Sequence, residues 1–301
     1  MIKINHILCP TDLTQEADEA LRYAIALARA YEARLTVLTW AENVAPVGTL
    51  TRLRMSEGLR ITAEKSLYER HPLGDMSALD RQFVLSEEGS NPAESISLEA
   101  GARGVDLIVM RSRRRPVAAA LLGSQAEDVT RNAPCSVLVT HPHEREWVGV
   151  STGEISISRL LVAHDFSEYA EEALNYGLSL AQEYQAELHL LHVCAPPEGG
   201  GPEIAWTREA SDDAYYHSAR RLQGSVPPEA HLWCEVKTAV RWGKPHREVL
   251  SYAEENQIDL ICMGAHGSGY TMRTILGTNV DRVLRRATCP VLVARRGGGT
   301  Y

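Results

Sequence analysis

Short apolar runs and longer stretches of helical period alternate along this chain, and polar or glycine-containing turns close them. The clearest example begins at residue 159. Arg-Leu-Leu-Val-Ala (159–163) is an apolar run that stops at His164 and Asp165, the pattern of a strand buried on both faces. Residues 168–184 then set Ala170, Ala173, Leu174, Gly177, Leu178 and Ala181 on a helical period. Further strands are predicted at 187–193, 231–239, 259–263 and 290–294, with helices at 208–222, from Pro245 onward, and at 278–286. Pro245 suits a first helical turn, where its missing N–H removes no bond. Strands alternating with helices of this length predict a parallel sheet covered on both faces.

The first half of the chain repeats the second. Residues 6–38 align without a gap to residues 159–191, and 13 of the 33 positions are identical, Asp12 and Asp165 among them. The same shift of 153 pairs Pro92 with Pro245, and Asp106-Leu107-Ile108 with Asp259-Leu260-Ile261. Near the end the shift becomes 154, pairing Val137-Leu138-Val139 with Val291-Leu292-Val293, so the first copy is one residue shorter between Met110 and Gly123. The prediction is an α/β chain of two tandem doubly wound domains, each a Rossmann-like five-stranded parallel sheet. Their expected bounds are 1–143 and 158–296, with a polar linker at 144–157 and a tail at 297–301.

Composition narrows the function classes. With 301 residues, 44% hydrophobic and 23% charged, the chain has material for two cores and is neither disordered nor a coiled coil. It has no apolar run near 18 residues, and Met1-Ile2-Lys3-Ile4-Asn5-His6 lacks the zones of a signal peptide. A cytoplasmic protein without membrane attachment is expected. The formal charge of −8 argues against nucleic-acid binding, which needs a basic surface. Six cysteines without a C-x-x-C pair read as free thiols.

The candidate chemistry lies in the second copy. Gly264-Ala265-His266-Gly267 directly follows a predicted strand, and after nine residues Gly277-Thr278 opens a helix. Glycines there let backbone bend sharply and approach a ligand. A helix start offers N–H groups and a positive dipole end to an anion. Asp165 ends the first strand on the same rim, placed to accept a hydrogen bond from a base or sugar. Turn chemistry alone is the competing reading.

The spacing G-x2-G-x9-G-[ST], present as Gly264, Gly267, Gly277 and Thr278, resembles the ATP-binding signature of the universal stress protein family. The first-strand aspartate, the Gly-Ala-His-Gly wording and Cys289-Pro290-Val291-Leu292-Val293 resemble that family as well, across nearly the whole chain. The resemblance implies an adenine nucleotide alpha hydrolase-like fold and ATP, with Mg, as ligand. Carried over by position, it implies Ala163, His164, Asp165 and Val193 beside the base. Met263, Gly264, His266, Gly267, Gly277, Thr278, Asn279 and Val280 would line the ribose–phosphate side. Family dimers pair through their last strands, which here implies 136–140 with 290–294 inside one chain; a further homodimer of the tandem unit and a regulatory protein partner are also expected.

The first copy departs from this pattern, with Arg111 and Arg114 at the positions of Gly264 and Gly267. One ATP per chain, in the second domain, is therefore expected. Arg111, Arg113, Arg114 and Arg115 read either as an anion grip or as a solvated loop. No P-loop, nucleophile elbow or H-E-x-x-H helix occurs, and no catalytic residue is assigned. His164, His192 and His266 fall on the rim, as a metal or proton-relay group or as ordinary strand-end and loop residues; no metal site is assigned. His141-Pro142-His143 reads as linker. The leading expectation is a cytosolic stress-response module regulated by ATP. A slow ATP hydrolase acting as a timer, or an ATP-independent small-molecule sensor, are the alternatives.

Overall fold

The computed structural model describes residues 2–40, 61, 64–65, 79–86, 91–112, 124–141, 145–149, 152–194, 208–267 and 276–295. The chain forms two compact units, one built on residues 3–156 and the other on 157–295. In the first, β1 (His6–Pro10), α1 (Asp18–Ala30), β2 (Arg34–Trp40), β3 (Arg81–Ser86), α2 (Pro92–Ala102), β4 (Leu107–Arg111), α3 (Ser124–Asn132) and β5 (Ser136–Thr140) succeed one another in order. In the second come β6 (Arg159–Ala163), α4 (Glu168–Tyr184), β7 (Glu187–Cys194), α5 (Arg208–Gly224) and β8 (Val236–Trp242). They are followed by α6 (Pro245–Glu255), β9 (Leu260–Gly264), α7 (Thr278–Leu284) and β10 (Val291–Ala294).

Both sheets are parallel and share one order: β3-β2-β1-β4-β5 in the first unit and β8-β7-β6-β9-β10 in the second. The chain steps outward from the central strand, then crosses to its other side, so each unit has a topological switch point, between β1 and β4 or between β6 and β9. The central strands carry the core: Ile7, Leu8 and Cys9, and Leu160, Leu161 and Val162, have no exposed surface. A side chain at the entry to β4 or β9 stitches each centre. Asp106 Oδ2 accepts the backbone N–H groups of Asn5 (2.7 Å) and His6 (3.0 Å), and Asp259 Oδ2 those of Ser158 and Arg159 (both 2.9 Å). These shared bonds account for the repeated aspartate, and burial in the core for the Leu-Ile that follows it in both copies.

Two departures from the sequence reading have local causes. The strand expected at 231–239 begins only at Val236, because Pro228–Leu232 forms a 3-10 turn started by Pro228 and anchored by buried Ala230. Part of the polar segment expected as a linker is packed against the first unit. Trp147 (2% exposed) stands edge-on to Tyr23 with ring centroids 4.6 Å apart, and Val148 bridges Ile155 in antiparallel fashion. Glu146 pairs with Arg22 at 2.9 Å, and His141, read as linker, is fully buried. Pro142, His143 and the tail at 297–301 lie outside the described residues. Among the described residues, no helix is long and apolar enough to cross a membrane.

Candidate functional site

In an open α/β sheet, ligands enter beyond the carboxyl ends of the strands that flank the switch point. In the second unit those strands are β6 and β9, paired in register through Ala163 and Met263. The chain leaves β6 by a tight turn. Phe166 adopts φ +63°, and Asp165 Oδ1 accepts from Ser167 N–H (3.1 Å) and Ser167 Oγ (2.6 Å). Ser167 in turn caps α4 by accepting from Ala170 N–H at 3.1 Å. One carboxylate oxygen thus fixes the turn and, through the cap, the start of α4.

His164 completes the turn from below. It is buried, and its Nδ1 accepts the Phe166 N–H at 3.2 Å, so the proton of the neutral ring sits on Nε2, 3.2 Å from Glu171 Oε1. Burial pulls its pKa below the ordinary histidine value, against the opposing field of Glu171. His192, on β7, donates from Nδ1 to the His164 carbonyl at 2.8 Å, and burial lowers its pKa as well. Phe166 stacks 4.5 Å from the His192 ring, and the Arg221 guanidinium on α5 lies 4.2 Å from the Phe166 ring centre. Val193 comes after His192 as a half-buried residue near the end of β7.

The glycines of the second rim segment do different jobs. At Gly264 an added Cβ would lie 2.6 Å from the Tyr169 carbonyl carbon and 2.7 Å from its oxygen, so this glycine serves the close approach of α4 to β9. At Gly267 a Cβ would lie 2.7 Å from Asp165 Oδ2: this glycine brings the loop after β9 against the carboxylate that ends β6. Gly277 has room for a Cβ, and its N–H is already bonded to the Ala265 carbonyl at 3.1 Å. N–H groups offered by the helix start therefore come from Thr278 onward.

The predicted residues all gather at this end of the second sheet, in two layers. Met263, Gly264, His266 and Val280 are buried and pack beneath the rim, with His266 edge-on to Tyr169 at 4.8 Å. Ala163, Asp165, Val193, Gly267, Thr278 and Asn279 retain exposure. Asn279 Oδ1 is 3.3 Å from His246 Nδ1, which ties the start of α7 to α6. Sequence reasoning missed Phe166, Tyr169, Arg221 and His246. An aromatic directly after the strand-end aspartate was a readable signal for Phe166; the other three come from helices whose facing surfaces only the packed fold reveals. No three His, Cys, Asp or Glu side chains are grouped to hold a metal ion among the described residues.

The first unit keeps the turn but differs at the end of β4. Asp12 Oδ1 accepts from Thr14 N–H (3.1 Å) and Thr14 Oγ1 (2.6 Å), Thr11 Oγ1 accepts the Leu13 N–H at 3.0 Å, and Leu13 has φ +63°. Arg111 stands at the place of Gly264 and folds onto α1, where its guanidinium donates to the Glu16 carbonyl and its Nε lies 3.3 Å from Glu19 Oε2. Glu16 is the repeat partner of Tyr169. Arg111 is thus a half-buried tie to the helix, neither an anion grip nor a solvated side chain; Arg113, Arg114 and Arg115 lie outside the described residues.

Comparison with known proteins bears on both units. The universal stress protein family matches residues 3–141 and again 156–295. The chain belongs to the universal stress protein family. It is a tandem universal stress protein, with two copies of the family domain in one chain. A universal stress protein of Methanocaldococcus jannaschii is 28% identical over 150 residues, covering 49% of this chain and 87% of the relative. One of Bacillus subtilis is 29% identical over 146 residues, covering 46% of this chain and 99% of the relative. The crystal structure of a universal stress protein from Archaeoglobus fulgidus aligns over 98% of both chains with a TM-score of 0.65 at 24% identity, which establishes the shared fold. A Pseudomonas aeruginosa structure aligns over 98% of this chain and 93% of its own with a TM-score of 0.69 at 18% identity. Membership in this family implies a stress-response role.

Proposed function

We propose that the second unit of this tandem universal stress protein binds one ATP, with Mg, at the rim between β6 and β9, and that the chain acts as a cytoplasmic, nucleotide-dependent regulatory module. The observation that carries this reading is the approach of Gly267 to Asp165, where a Cβ would sit 2.7 Å from the carboxylate. The approach puts the backbone of Gly267, which keeps part of its surface exposed, and a fixed carboxylate together at the switch point, as a nucleotide site of this fold requires. Asp165 uses Oδ1 to hold the turn, so its second oxygen faces the loop. Thr278 supplies an exposed hydroxyl at the start of α7. The first unit lacks the glycine pair and is not part of the site.

Native mass spectrometry with Mg-ATP tests stoichiometry, and calorimetric titration of Gly267→Arg tests location. One nucleotide per chain is expected, with binding lost in Gly267→Arg and retained in Asp12→Ala, while thermal unfolding confirms that both variants fold. Two nucleotides per chain, or unchanged affinity in Gly267→Arg, would overturn the assignment.

A further inference from the structure

Four positions on the outer faces of the helix pairs α2/α3 and α6/α7 correspond between the two units. In the first unit they are Asn91, Glu94, Asp128 and Asn132; in the second, Lys244, Arg247, Arg282 and Arg286. A neutral-to-acidic set in one unit is fully basic in the other. The acidic face is concave. Asn91, Glu94, Asp128 and Asn132 edge an open groove of about 860 Å³ between α2 and α3. Small side chains at Ala93, Ser97 and Gly101 line it, and Leu98, 65% exposed, stands beside them.

Among the described residues the charges on both faces form no ion pair, although Arg282 Nη1 lies 3.5 Å from His246 Nδ1. Glu94 and Asp128 form no ion pair within the described residues, whereas their neighbours do: Glu99 with Arg103 at 2.6 Å and Glu127 with Arg131 at 2.9 Å. Likewise Lys244, Arg247, Arg282 and Arg286 have no carboxylate partner within the described residues. Asp281 is taken by Arg285 at 3.0 Å, and Glu248 and Glu255 by Arg241 at 3.8 and 2.5 Å. The exposed carboxylate left on α6, Glu254, lies near its C-terminal end. Lys244 and Arg247 sit at the N-terminal end of α6, where a cation opposes the helix dipole, so helix stability does not account for them.

We propose that the groove between α2 and α3 is a docking surface for a second copy of this chain, which presents its basic α6/α7 face. Long guanidinium side chains fit a groove lined by small residues, and Glu94 and Asp128 are placed to receive them in bidentate fashion. The apolar stems cover Leu98. Each chain carries one face of each sign, so the contact joins two different patches of identical chains. The nucleotide reading is not needed for this contact, and none of the residues varied below belongs to that site.

Analytical ultracentrifugation of the full chain tests it. Association is expected at about 0.1 M salt and loss of association toward 1 M, as the screening length falls from about 10 to 3 Å. Glu94→Arg/Asp128→Arg and, separately, Arg247→Glu/Arg286→Glu should each weaken self-association by about 100-fold or more, through like-charge contact. All four positions are on the surface, and circular dichroism should show unchanged folding. An equimolar mixture of the two double variants should associate again, because the first variant keeps the basic α6/α7 face and the second keeps the acidic groove, so the original contact forms between them. A wild-type chain that stays monomeric at 0.1 M salt, an oligomer indifferent to both reversals, or a mixture that fails to associate would each overturn the proposal.

Discussion

Two glycines three residues apart, Gly264 and Gly267, have separate physical reasons to be glycine. Gly267 faces a carboxylate at the rim, whereas Gly264 faces helix backbone, which cannot swing aside as a side-chain tip can. Gly264→Ala should therefore force α4 away from β9 and destabilise the fold by about 1–3 kcal/mol, the usual cost of overpacking. Urea unfolding of the variant measures it; stability within about 0.5 kcal/mol of wild type would mean that α4 shifts freely. The first unit meets the same position differently. Arg111 has a Cβ there, and its side chain bonds to the Glu16 carbonyl and approaches Glu19. The replacement of glycine by arginine thus changes how strand and helix are tied together, in addition to what it does at the rim.

At the scale of elements, the repeat was legible because the same short-range rules were written twice. Apolar runs fixed the central strands, and the aspartates at 106 and 259 marked where strand entries are stitched. The start of β8 was not legible, because the apolar positions of residues 231–239 read as continuous while Pro228 had already committed the preceding residues to a 3-10 turn. The packing of residues 145–149 was hidden for a similar reason. Its polar composition masks Trp147, whose partner Tyr23 lies more than a hundred residues earlier. Of the site, the strand-end aspartate and the glycine spacing were readable, since both are local. Phe166 with Arg221, and His246 with Asn279, pair residues from separate elements and emerge only from packing. Trp147→Ala should remove a fully packed ring and an edge-on aromatic contact, costing about 3–5 kcal/mol. If residues 145–149 were only a tether, calorimetry would show an unchanged unfolding temperature.

Across the whole molecule, burial depresses five histidines in the same direction. His6, His164, His189, His192 and His246 all lie below the ordinary value, with burial the largest cause in each. Burial prevails over partners that favour the charged ring, such as the Arg103 carbonyl at His6 and the Glu187 carboxylate at His189. His6 bonds through Nδ1 to the Arg103 carbonyl and through Nε2 to Thr36 Oγ1. His189 sits between Tyr252 Oη at 2.9 Å and Glu187 Oε1 at 3.1 Å. Between the depressed folded values and about 6.5, the unfolded chain binds more protons than the folded one, so stability rises with pH in that window. The histidine contribution is complete above about pH 6.5 and is lost as pH falls toward the folded values. Glu187, held low by Lys237 and the other cations around it despite burial, and Glu255, held at about 2 by Arg241, add a loss of the same sign further into acid. Calorimetry from pH 8 to pH 5 should therefore show an unfolding temperature that is level down to about 6.5 and then declines. Proton uptake on unfolding should appear over the same interval, and His189→Gln should reduce it. A flat or rising unfolding temperature between pH 6.5 and 5 would mean that these rings accept their protons without leaving the fold.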